Sequence, residues 1–100
     1  MPDYFLVENA KGPAWDHSRS VREQDGWDEH AAFMDGLAAE GFVVLGGPIE
    51  GDERLSALLI VDAEDEGAVR ARLAPDPWSE SVLTIESVRP WSVWLRADTV

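Results

Sequence analysis

The sequence predicts an α+β fold in which two helices cover one face of a four-stranded antiparallel sheet. Short runs of strand-forming residues alternate with segments of helical periodicity along the chain. Between two of the apolar runs, the Gly51-Asp52 pair is a turn signal that predicts a hairpin. The resulting order, β-α-β-β-α-β, is that of a ferredoxin-like sandwich.

Length and charge limit both the architecture and the partners. The chain has 100 residues, enough for one hydrophobic core, so we expect a single domain over residues 1–100. Its formal net charge of −12 argues against binding nucleic acid or an anionic membrane, because both are polyanions. With no cysteine, no leader-like N-terminal pattern and no apolar run of spanning length, we predict a cytoplasmic protein.

The first strand is predicted at 4–7, and a long polar connection follows it over 11–24. Ordered loops of this length are often functional, so we regard 11–24 as a candidate lid over a site, with disorder as the alternative. Trp15 inside this connection favours a loop that folds back onto the domain.

Residues 25–41 have the pattern of an amphipathic helix, with Asp25 as the predicted N-cap and Gly41 as the stop. Its apolar face comprises Trp27, His30, Ala31, Met34, Leu37 and Ala38. His30 is the odd member, because a titratable ring occupies a position that points inward. It is either a core histidine whose hydrogen bonds are made within the protein or part of a functional site.

The remaining elements follow in order. We predict strands at 42–49 and 56–62, a helix at about 64–74, and a strand at 82–85, with 91–95 as its continuation or a short extra strand. The central strands are apolar on both faces, whereas two helices cover only one face of the sheet. We therefore expect a homodimer, with the sheet of one copy against that of the other.

This topology brings separate segments to one end of the sheet. The start of the first helix, the end of the second strand and the 76–78 turn meet there, and such convergence favours a pocket. His30 and Asp76 are the predicted acid–base pair, in which the carboxylate fixes the tautomer of the ring. The predicted substrate-binding residues are Trp27, Trp78, Gly46, Gly47, Pro48, Arg19 and Arg22.

Each of these assignments has a structural alternative. A histidine near a helix start is often a satisfied structural residue, Asp76 before Pro77 suits a turn, and tryptophans usually belong to the core. Two histidines fall short of a zinc set, and a group of His17, His30 and Asp76 is only weakly indicated. We predict neither a metal nor another cofactor.

Several motifs together resemble the YCII-related proteins. They are Trp27-Asp28-Glu29-His30 with Phe33-Met34 and Leu37, the run Gly41-Phe42-Val43-Val44-Leu45-Gly46-Gly47-Pro48, Asp76-Pro77-Trp78, and Val88-Arg89-Pro90-Trp91. The resemblance extends from the first strand to Leu95. It implies a dimeric α/β barrel with a histidine and an aspartate in an active-site cleft, matched here by His30 and Asp76. The long 11–24 connection and Trp78, where family members often have Tyr or Phe, depart from the pattern.

These observations favour a small-molecule acid–base enzyme of lyase, isomerase or hydrolase type, acting on a cyclic or aromatic compound. One branch of the YCII-related proteins includes a dehydrochlorinase for a chlorinated hydroxyquinol, which fits this class. The alternative is a non-catalytic dimeric module that binds a ligand or a partner. A haem- or oxygen-using monooxygenase of the kind found on related barrels ranks last, because no residue signals it.

Overall fold

A computed structural model describes residues 3–97 of the chain. The strands are β1 (Tyr4–Lys11), β2 (Val43–Pro48), β3 (Leu55–Asp62) and β4 (Leu83–Trp91), and the helices are α1 (Trp27–Ala39) and α2 (Glu66–Leu73). A short 3-10 helix lies at Val21–Glu23. Neither α1 nor α2 has the length and apolar content needed to cross a membrane.

All four strands form one sheet in the order β2-β3-β1-β4, and every neighbouring pair is antiparallel. Together with the element order, this sheet is compatible with a ferredoxin-like fold. The predicted α+β class and the antiparallel sheet are therefore confirmed.

Both helices pack on the same face of the sheet. Leu37 of α1 and Val69 and Leu73 of α2 join the inward side chains of the strands in one core. The strand members of this core are Phe5, Val7, Val43, Leu59, Val61 and Val88. The alternation of Phe5 and Val7 with Leu6 is that of a strand with one face in the core.

The opposite face of the sheet also carries apolar side chains on β1, β2 and β3. Leu6 on β1 and Leu45 on β2 both pair with Ile60 on β3, so the three side chains share a face away from the helices. The side chain of Leu45 is 64% exposed. We refer to Leu6, Leu45, Leu58 and Ile60 as the open-face patch.

Two strands are longer than predicted. The first strand does not end at Val7, because Glu8 lies on the open face, where it accepts hydrogen bonds from Ser87 and Arg89. The last strand runs without interruption through Pro90 to Trp91, and 92–95 is not a strand. Pro90 is tolerated because β4 is an edge strand, where a missing N–H leaves no ladder bond unmade.

The predicted helix boundaries also need correction. The N-cap of α1 is Gly26, not Asp25, and its φ of 81° is a left-handed conformation that favours glycine. The second helix begins only at Glu66, because the Asp65 side chain caps it by accepting a hydrogen bond from the Ala68 N–H. Of the predicted inward face of α1, Leu37 is buried and Ala38 is exposed.

The connection after β1 folds back onto the domain. The buried Gln24 amide holds it by donating to the Asp16 carbonyl at 2.7 Å and accepting from the Asp16 N–H at 2.8 Å. Trp15 and Val21 pack against the cluster around Trp78. The Ser18 hydroxyl and N–H both donate to Asp16 and lower the pKa of its carboxyl below the ordinary value.

Candidate functional site

The centre of the candidate site is a contact between His30 on α1 and Asp76 in the turn after α2. The Nδ1 atom of His30 lies 2.8 Å from Oδ1 and 3.0 Å from Oδ2 of Asp76. Both side chains are 12% exposed. A carboxylate is an acceptor, so Nδ1 carries the proton in the neutral ring and Nε2 is left with a free lone pair.

The second ring nitrogen is open. Nε2 of His30 makes no hydrogen bond to any residue in the described range 3–97. In the same range, no buried side-chain nitrogen or oxygen lacks a hydrogen-bond partner. Nε2 is therefore not sealed in the core, and it stays accessible to a small molecule.

Trp78 fixes the plane of the histidine ring. The two rings stack with centroids 4.1 Å apart and planes 9° apart. The Trp78 indole N–H donates to the Asp25 carbonyl at 2.7 Å, and its backbone N–H donates to Asp76 Oδ1 at 2.9 Å. Trp78 thus ties the 76–78 turn to the residues just before α1, and it orients both members of the pair.

Gly26 permits this junction, because it combines a positive φ with close contact to Trp78. A Cβ at position 26 would lie 3.1 Å from Trp78 Nε1.

We expect Gly26→Ala to lower the free energy of unfolding by about 1–2 kcal/mol, the cost of a left-handed alanine. Gly36→Ala is the matched control, since Gly36 is a helical glycine with open space around it, and it should stabilise by about 0.5–1 kcal/mol. Urea unfolding of both variants measures the difference; equal effects would contradict this account of Gly26.

A cavity of about 60 Å³ adjoins the His30–Asp76 pair. Its apolar lining comes from the sheet and both helices, and a few polar side chains converge on it, as is usual for ligand sites. The lining residues are Asn9, His30, Met34, Ala57, Leu59, Leu73, Asp76, Ser79, Glu80, Leu83, Thr84 and Ile85. The volume is well below the roughly 150 Å³ of a cavity that holds a benzene ring.

The other residues predicted to bind substrate lie outside this lining. Trp78 is 2% exposed, and Trp27 packs beside it and His30. Both tryptophans pack against the His30 ring without lining the cavity. Gly46 and Pro48 lie in β2 and pair with the lining residues Leu59 and Ala57, so the strand end does reach this end of the sheet. Gly47 pairs with Leu58 on the open face.

The predicted cations and the second histidine lie in the connection after β1. Arg19 Nη1 donates to Asp25 at 3.0 Å, and Arg22 lies exposed in the 3-10 helix. His17 is exposed in the same connection. No residue between 11 and 24 lines the cavity. Within residues 3–97, no group of three or more metal-ligating side chains could hold an ion.

Sequence reasoning did not identify four polar residues of the lining: Asn9, Ser79, Glu80 and Thr84. Asn9 was detectable in principle, because it follows Phe5 and Val7 at the two-residue period and so occupies a core-facing position. Glu80 was not, because its φ of 58° follows from the tertiary turn that carries Asp76 and Trp78. Among the described residues it is the one non-glycine with a positive φ. Such conformations cluster at functional sites.

A larger, open cleft of about 820 Å³ lies at the other end of the sheet. It is bounded by the start of β1, the end of β4 and the segment 92–96, and no histidine lines it. The candidate site is therefore the smaller cavity, which His30 and Asp76 line.

No family model matches this sequence, and a search of curated proteins found no match. The resemblance to the YCII-related proteins therefore rests on the short motifs of the sequence and remains a hypothesis.

Proposed function

We propose that this protein is a small-molecule acid–base enzyme of lyase, isomerase or hydrolase type. The observation that carries the proposal is the state of the His30 ring. One nitrogen is held by Asp76 at 2.8 Å, and one face of the ring is covered by Trp78. The other nitrogen makes no hydrogen bond within residues 3–97, and His30 lines a cavity. A buried structural histidine would have both nitrogens satisfied by the protein.

In the proposed mechanism, Nε2 of His30 removes a proton from a substrate atom in the cavity and later returns it. Asp76 keeps the proton of the neutral ring on Nδ1 and stabilises the imidazolium that forms. Trp78 keeps the ring from rotating away from the substrate. Positioned proton transfer of this kind accelerates a reaction by about 10²–10⁴-fold. Because the cavity is small, the reacting part of the substrate is smaller than an aromatic ring.

A panel of small uncharged ketones, aldehydes, esters and amides tests the proposal. Each compound is incubated with the protein in D₂O and followed by proton NMR. This assay detects both exchange of carbon-bound protons and hydrolysis. We expect at least one compound to react, and His30→Gln to slow it by about 10²–10⁴-fold.

His17→Gln is the matched control, because it makes the same substitution at an exposed histidine outside the cavity lining. This variant should react at the wild-type rate. Full activity in His30→Gln would refute the proposal, and a panel without any reaction would favour the non-catalytic ligand-binding module.

We further propose that the protein is a homodimer in which the open-face patches of two copies face each other, as in a dimeric α/β barrel. The patch supports this, because adjacent apolar side chains on a sheet rarely stay in water.

Light scattering coupled to size-exclusion chromatography should give twice the mass of the chain. Leu45→Lys places a charge at the most exposed position of the patch and should shift the mass to that of one chain. Ala39→Lys, on the exposed surface of α1, should leave it unchanged. A wild-type monomer would refute the homodimer, and a dimer unaffected by Leu45→Lys would place the interface elsewhere.

Descent from the YCII-related proteins is likewise a proposal. The order and spacing of the motifs support it, as does the contact between His30 and Asp76, the two residues that the resemblance pairs. The cytoplasmic location predicted from the composition remains a prediction.

A further inference from the structure

Asn9 presents an unused amide to the cavity. The residue is only 9% exposed, it lines the cavity beside His30, and its side chain makes no hydrogen bond within residues 3–97. Gln24, the other buried amide, is bonded through both its oxygen and its nitrogen. Because no buried side-chain nitrogen or oxygen among the described residues lacks a partner, the unbonded amide atoms of Asn9 are not sealed in the core, and they remain open to a ligand.

The backbone around Asn9 is irregular on both sides. The β1–β4 register shifts between Glu8 and Asn9, and the β1–β3 register shifts between Asn9 and Ala10. The cross-strand partners of Asn9, Ala57 and Ile85, both line the cavity. Bulges next to active sites commonly re-aim a side chain. The two register shifts at Asn9 therefore indicate that the local backbone sets the direction of its side chain.

The lining also restricts the charge of the ligand. Its ionisable members are His30, Asp76 and Glu80, and neither lysine nor arginine is among them. The whole chain carries a net charge of −12. An anionic ligand would meet two carboxylates without a fixed cation, so the cavity suits an uncharged molecule.

From these observations we propose that the Asn9 side chain binds the oxygen of a small, uncharged carbonyl compound whose adjacent carbon faces His30. This inference rests on the proposed function, because His30 must supply the base. The Cα–H bond breaks, its proton moves to Nε2, and its electron pair shifts to make the carbonyl oxygen an enolate oxygen. The Asn9 N–H donates to that oxygen, and Nε2 then returns a proton to carbon.

Three probes of one shape separate the chemical classes: acetone, acetamide and acetate share a Y-shaped skeleton and differ in charge and hydrogen bonding. Each is titrated into the ¹⁵N-labelled protein, and the Asn9 side-chain amide and the His30 ring are followed by NMR. We expect acetone and acetamide to shift both sets of signals with millimolar dissociation constants, as suits such small ligands. Acetate should bind at least about tenfold more weakly, since it meets the carboxylates.

Two variants then test the amide itself. Asn9→Leu keeps the size but removes the hydrogen bonds, and Asn9→Asp keeps the shape but removes the donor. Both should weaken acetone binding by about tenfold, the value of one hydrogen bond. Proton exchange into acetone should fall further, by about 10²–10³-fold, because an oxyanion donor acts mainly in the transition state. Asn9→Leu should also unfold at an equal or higher temperature, because the Asn9 side chain makes no hydrogen bond within residues 3–97 that the substitution could remove.

The outcomes separate this inference from the proposed function. If acetone shifts His30 but not Asn9, or binds Asn9→Leu with unchanged affinity, the role of Asn9 is refuted while the His30 mechanism stands. If neither acetone nor acetamide shifts the signals of Asn9 or His30, the role of Asn9 is likewise refuted and the His30 mechanism stands. Acetate binding as tightly as acetone would refute the uncharged class. If His30→Gln keeps wild-type exchange while Asn9 still binds acetone, the proposed function fails and the binding role of Asn9 survives.

Discussion

Trp78→Ala is expected to lower the free energy of unfolding by about 3–5 kcal/mol, the usual cost of removing a buried tryptophan. Trp78 is 2% exposed, stacks on His30 and bonds the Asp25 carbonyl through its indole N–H. The substitution removes all three contributions at the junction of the 76–78 turn with α1. The total free energy of unfolding of a small domain is only about 5–15 kcal/mol, so the loss should be obvious in chemical denaturation.

Trp94→Ala is the matched control, because the same atoms are removed from a side chain that is 90% exposed. This substitution should change the free energy of unfolding by no more than about 0.5 kcal/mol. The two variants are compared at one protein concentration, since a dimer would make stability depend on concentration. Equal destabilisation by both variants would contradict the central position that we assign to Trp78.

Asp76→Asn should reduce the proton-transfer rate by about 10²–10⁴-fold with little change in the fold. The backbone N–H of Trp78 donates to Oδ1 of Asp76 and would hold the amide oxygen at that position, where it still lies 2.8 Å from Nδ1 of His30. The amide nitrogen would replace Oδ2, 3.0 Å from Nδ1, and it cannot accept a hydrogen bond there. The variant therefore lacks the negative charge that stabilises the imidazolium formed when Nε2 takes up a proton.

The rate is measured on whichever panel compound the wild-type protein turns over. Asp35→Asn is the matched control, because Asp35 lies exposed on α1, and it should retain the wild-type rate. A rate in Asp76→Asn within tenfold of wild type would contradict the role of Asp76 in stabilising the imidazolium.

The fold was predictable because its signals are local. Short runs of strand-forming residues defined the strands, and the Gly51-Asp52 signal defined a hairpin that Asp52 stabilises by accepting from the N–H groups of Arg54 and Leu55. The boundaries were less predictable. The β1 strand continues past Glu8 because Arg89 and Ser87 satisfy that carboxylate from a strand distant in sequence.

The candidate site was predictable only in part. Strand direction brought His30 and the Asp76 turn to one end of the sheet, and that follows from topology alone. The stacking of Trp78 behind the ring did not follow, since no sequence pattern specifies a rotamer and the tryptophan was expected to face a ligand. Asn9 was missed for a simpler reason: the first strand was ended two residues before it.

The tautomer of His30 tests the central claim most directly, because the whole mechanism depends on a proton at Nδ1 and a free lone pair at Nε2. Long-range ¹H–¹⁵N NMR spectra of the histidine rings, recorded in mildly alkaline buffer, distinguish the two neutral forms. Exposed His17 provides an internal reference in the same spectrum. We predict the Nδ1–H form for His30, with Nε2 shifting on addition of acetone. The Nε2–H form would contradict the account.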